Sequence, residues 1–102
     1  MANTFKNFRA SSVGKTGESV YRVANTATSV MIGCNLANVS TNTIKVDVLV
    51  AGTYLIKDVA IPPSAALSAL DGKIIVEGGQ AVIVKSDTEG SCDVILSILE
   101  QT

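Results

Sequence analysis

Aliphatic and β-branched residues alternate with polar ones along most of this chain, and that period of two is what most restricts its fold. Between Ile44 and Val50, the apolar Ile44, Val46, Val48 and Val50 fall on one side and Lys45 and Asp47 on the other. Successive side chains of a strand point to opposite faces, so this pattern predicts a strand buried on one side. Ala51-Gly52 supplies a tight turn, and Tyr54 to Ile61 alternates again, setting Leu55, Val59 and Ile61 against Tyr54, Ile56 and Asp58. The two runs together predict a β-hairpin.

The same reading extends in both directions. Ser19 to Ala24 is a short strand, Asn25-Thr26 a turn, and Ala27 to Val39 a longer strand with Val30, Ile32, Cys34 and Leu36 on one face. Gly33 inside it signals a bulge or a close backbone approach. Pro62-Pro63 ends the hairpin's second strand, because proline cannot donate to a ladder. Ala65 to Leu70, Lys73 to Val76 and Ala81 to Lys85 are further short strands. Cys92 to Glu100 closes the chain with Cys92, Val94, Leu96 and Ile98 on one face, and apolar residues on the other predict burial on both sides. Many short strands, regular turns and no long helical pattern predict an all-β, antiparallel β-sandwich, immunoglobulin-like or jelly-roll. Residues 1–16, rich in Asn, Ser, Thr and Gly, lack this regularity and are expected to form an irregular N-terminal arm; residues 17–102 form the sandwich domain.

Function is constrained mainly by what the chain lacks. With 102 residues there is one domain, and 47% apolar content is ample for its core. Eight basic and nine acidic residues leave a net charge of −1, so there is no basic field for a nucleic-acid backbone. Little self-repulsion keeps copies apart, which favours assembly. No secretory signal or membrane-length apolar run is present, and manufacture in a cytoplasm is the expectation. The sequence contains no His, which removes the usual general base for a Ser or Cys nucleophile. Its acids are scattered, so the expectation is no enzyme, no catalytic residue, no metal and no cofactor. Gly14-Lys15-Thr16 imitates the end of a phosphate-binding loop, but Arg9 stands where that loop needs glycine. Asp87 and Glu89 share one loop without the oxygen cage that calcium requires. Cys34 and Cys92 are either two reduced thiols or a possible disulfide. Phe5 and Phe8 need apolar surroundings, either a neighbour's groove or their own sandwich. Tyr54 is either an exposed contact or ordinary cross-strand packing.

Several segments share a pattern with known proteins. Ser19-Val20-Tyr21-Arg22-Val23, followed by the stretch Asn25 to Asn38, resembles a recurring segment of small structural proteins of tailed phages. The hairpin with Tyr54-Leu55-Ile56-Lys57 and Ile61-Pro62 is similar to their central hairpin. Gly78-Gly79-Gln80 and Asp93 to Glu100 also fit, so the resemblance covers roughly residues 18 to 100. Arg22 and Ala24-Asn25 depart from it, where relatives often have a polar residue and then Pro-Ala-Gly. The resemblance implies a virion structural accessory protein of sandwich type, made in the bacterial host cytoplasm. A head decoration, cement or neck-associated protein is the leading expectation, and a tail or baseplate component or adhesion tip the alternative. Expected partners are copies of itself, as a trimer or higher oligomer, and capsid, neck or tail proteins, with no nucleic acid and no membrane. The candidate subunit contacts are Phe5, Phe8, Arg9 and Tyr54. An arm tucked into a neighbour would leave a chain without Met1 to Ser12 folded but unable to bind.

Overall fold

The computed structural model describes residues 3–101. Among these, nine strands follow one another: β1 (Asn3–Val13), β2 (Glu18–Arg22), β3 (Thr28–Asn38), β4 (Ile44–Val50), β5 (Thr53–Ile61), β6 (Ala66–Ser68), β7 (Ile74–Val76), β8 (Ala81–Ser86) and β9 (Cys92–Gln101). They form two antiparallel sheets packed as a sandwich. One has the order β1-β9-β3-β6 with β7 also on β3, and the other β2-β8-β4-β5. The first strand pairs with the last, β2 with β8, β3 with β6 and β7, and β4 with β5. These are the nested pairs of one long antiparallel ribbon. Rolling that ribbon up brings β3 beside β9 and β4 beside β8. This is the jelly-roll solution, and it decides between the two sandwich types that the strand pattern allowed.

The core lies where the alternating faces meet. Ile44, Val46 and Val48 of β4, Val82 and Val84 of β8, and Cys92, Val94, Leu96 and Ile98 of β9 are all buried, as the period of two requires. Ala51 and Gly52 both have positive φ, which gives the β4–β5 hairpin the twist a two-residue connection needs. Two alternation patterns are broken. In β3 the register slips between Met31 and Gly33, leaving Ile32 as the extra residue of a bulge. Cys34 and Leu36 therefore face the core together with Ser29 and Met31, while Val30 and Ile32 point outward instead of sharing the face of Cys34. In β5, slips against β4 and a positive φ at Asp58 interrupt the second half of the hairpin. β9 is also less enclosed than its sequence suggests, since Ile95 on its outer side is exposed.

The segment expected to be an irregular arm is an eleven-residue strand. Asn3 to Ala10 pair continuously with Gln101 to Val94. The polar composition misled because β1 lies at a sheet edge, where most of its side chains face solvent and need no apolar alternation. Cys34 and Cys92 are free, buried thiols. Cys34 lies opposite Leu96 and Cys92 opposite Asn38, four ladder positions apart on the same pair of strands. That is roughly 13 Å along the strand, about twice the Cα separation a disulfide spans. Burial pushes both thiols up to about 11, so they stay protonated and inert at neutral pH.

Candidate assembly surface

The bulge in β3 changes the outer side of the β1-β9-β3-β7 sheet. Phe5 lies opposite Leu99, Leu99 opposite Val30, and Val30 opposite Ile75. Four apolar side chains thus stand in one rank across four strands, a row of roughly 14 Å at ordinary strand spacing. Its two ends are the most open: Phe5 is 74% exposed and Ile75 63%. Ile32, lifted out by the bulge, is exposed on the same face, and so is Ile95 further along β9. Polar ranks flank the row, with Asn3, Gln101 and Thr28 on one side and Asn7, Ser97 and Gly33 on the other. Exposed apolar residues scattered singly are ordinary, whereas a contiguous row with a polar border has the anatomy of a contact surface.

The sheet's underside holds this end in place. Tyr21, on β2 of the opposite sheet, places its hydroxyl 2.6 Å from Ser29 Oγ and 2.6 Å from Glu100 Oε2. A phenol has one proton; given to the carboxylate, it leaves the oxygen free to accept from Ser29. Lys6 Nζ closes the network 2.9 Å from Glu100 Oε1. The hydrogen bonds from Tyr21 and Lys6 hold the Glu100 carboxyl below its usual range. Burial, with the Glu100 hydrogen bond next, pushes Tyr21 up to about 12. Phe8 packs its ring 4.2 Å, centre to centre, from that of Tyr21. Four strands from both sheets are tied together here.

The candidate contacts therefore separate. Phe5 and Arg9 project from the outer side of β1, while Phe8 points inward and packs against the protein's own core. Tyr54 is exposed on β5 of the other sheet, with Lys57 Nζ 5.5 Å from its ring centre. Phe5 and Tyr54 do not share a surface. Leu99, Val30, Ile75 and Ile32 were not legible as contacts. Finding them needs the β3 register, for which Gly33 is the only signal in the sequence.

The other sheet carries a shallow depression of about 320 Å³ lined by Lys15, Lys45, Asp47, Asp58, Lys85, Ser86 and Asp87. Its three lysines and three aspartates balance. Asp47 accepts the N–H of Asp58 at 2.7 Å, and Asp87 accepts that of Lys45 at 3.1 Å. Glu89, the other acid of the Asp87 loop, accepts the N–H of Lys15 at 2.9 Å in the turn after Gly14. These acids therefore order local backbone, and the Gly14-Lys15-Thr16 turn leads into a strand, with no phosphate-binding helix after it.

No known protein family matches the sequence, and no curated protein is similar to it. Among solved structures, the chain is similar to the infectious bursal disease virus VP2 subviral particle, with a TM-score of 0.48 and 12% identity. That likeness covers 95% of this chain and 32% of the other, so this chain spans less than a third of the other's length.

Proposed function

We propose that this protein is a structural accessory protein of a phage particle, a head decoration, cement or neck-associated protein. It acts by seating the outer face of its β1-β9-β3-β7 sheet on neighbouring subunits. The observation that carries the reading is the in-register row of Phe5, Leu99, Val30 and Ile75. Covering a side chain of this size is worth about 1.5–3 kcal/mol, so several in one row can hold a rigid sandwich on a shell. The resemblance of residues 18 to 100 to small tailed-phage structural proteins supports the same reading, and jelly-roll sandwiches are a recurrent capsid architecture. Fold alone does not define function; the exposed row supplies the site.

The test is co-sedimentation with the phage particles that carry the chain, after they are stripped of it. Wild type should rebind to saturation, and the Ile75→Asp variant, folded to the same melting temperature, should lose at least tenfold in affinity. Equal binding by the two proteins would refute the use of this face. A tail or baseplate role through Tyr54 would instead leave Ile75→Asp unaffected and make Tyr54→Ala defective.

A further inference from the structure

The edges of the two sheets are not equally protected. β5 slips twice against β4, has Asp58 at φ 52 with its N–H turned onto Asp47, and bears the exposed Lys57–Asp58 pair. β2 has five residues and a slip between Ser19 and Tyr21, and β6 and β7 have three residues each. Bulges, charges and short length are the usual defences against edge-to-edge pairing. β1 is neither short nor bulged over Asn3 to Ala10, where the ladder runs through eight successive pairs without a slip, and its one outward charge there, Arg9, stands four residues from Phe5. Its lysine does not guard the edge, because Lys6 is drawn inward onto Glu100. The apolar row also ends at this edge: Phe5 has Leu99 on one flank and nothing from its own sheet on the other.

We infer that the open edge of β1 pairs antiparallel with β1 of a second copy, with Phe5 opposite the second copy's Phe5. This deepens the assembly reading above and rests on it. The occupant is a copy because this register is self-complementary and fits the strand's charges. Lys6 falls opposite Thr4 and Asn7 opposite Asn3, so no like charges meet. The two Arg9 side chains lie four residues to either side of the axis. They are roughly 26 Å apart at strand rise, well beyond the screening length of about 8–10 Å. Antiparallel partners point to the same face, so the row of Ile75, Val30, Leu99 and Phe5 continues without interruption into the same four residues of the copy. Such a contact is two-fold, and assemblies built on it have even copy numbers, which of the expected trimer or higher oligomer keeps only the even-numbered ones.

The full-length chain carrying Phe5→Cys tests this under mild oxidation, since Cys34 and Cys92 are buried. The expected result is a disulfide-linked dimer that doubles the native mass. An equimolar mixture of Asn3→Cys and Asn7→Cys chains should cross-link, and Asn7→Cys alone should not. Tyr54→Cys, exposed on the far edge, should cross-link at least tenfold more slowly. Comparable rates for Phe5→Cys and Tyr54→Cys would mean random collision and overturn the pairing. So would oligomers seen by light scattering without the Phe5→Cys bond, a result that leaves assembly through the sheet face standing. A monomer at every concentration with no cross-link also overturns it, while particle rebinding judges the proposed function separately.

Discussion

The two outer faces of this sandwich are built from similar alternating strands but end in opposite states. On the β2-β8-β4-β5 sheet, outward positions carry Lys45, Asp47 and Lys85, and the edge strand β5 is bulged and charged. On the β1-β9-β3-β7 sheet they carry Phe5, Leu99, Val30 and Ile75, and the edge strand β1 is regular from Asn3 to Ala10, its one slip lying beyond, between Ala10 and Val13. One face is mainly charged, and the other carries a contiguous exposed apolar row. A single bulge contributes to the difference, because it turns Val30 and Ile32 outward while Cys34 and Leu36 stay in the core. Local backbone irregularity, as much as composition, decides where a sheet protein offers its apolar surface.

The comparison breaks most severely if β1 is removed. A chain beginning at Val13 loses every β1–β9 pair from Asn3 to Ala10, the ring of Phe8 on Tyr21 and the Lys6–Glu100 pair. A fully buried aromatic ring is worth about 3–5 kcal/mol; Phe8 is partly buried and contributes less, but the ladder and the ion pair go with it. Thermal melting should therefore fall by more than about 15 °C. This reverses the expectation that such a chain stays folded and loses only binding. Melting within a few degrees of the full chain would return β1 to the status of a detachable arm.

A smaller effect should come from pH. Glu100 is held below its usual range in the folded state, so its contribution is present at neutral pH and lost as the pH falls through its folded value. Tyr21, raised from 10.0 to about 12, and the two thiols, raised from 9.0 to about 11, have the opposite sign. Their contribution is complete below pH 9 and declines as the solution passes from there towards 12. Melting temperature should thus be flat near neutrality and fall on both flanks. Glu100→Gln should flatten much of the acid flank, and an unchanged acid flank would remove Glu100 from its causes.

The smallest effect sharpens the other sheet. Ala51 occupies the left-handed region at φ 53 in the β4–β5 turn, where an L-residue with a plain Cβ is strained. Ala51→Asn gives the Asn-Gly pair this turn prefers and should stabilise by up to about 1 kcal/mol, read by urea denaturation. It should leave self-association unchanged, because the hairpin lies on the other sheet.

Much of this architecture was legible in the sequence. The strands at Ile44–Val50 and Cys92–Gln101 follow from uninterrupted alternation, and Pro62-Pro63 marks the end of β5. The immunoglobulin-like and jelly-roll alternatives were not separable, because nested pairing is a property of which strands meet, not of any strand alone. β1 was missed because an edge strand facing water needs few apolar residues. Phe5 and Arg9 were legible as outward candidates, but their companions Leu99, Val30 and Ile75 depend on cross-strand register, which a single chain does not encode locally.

The most direct test of the central claim is the native mass of the full chain by light scattering across a concentration series, beside a Phe5→Asp/Ile75→Asp double variant. Wild type should associate reversibly, while the variant stays a monomer with an unchanged melting temperature. Equal association of the two proteins, or a wild type that remains a monomer throughout, would contradict an assembly built through this face.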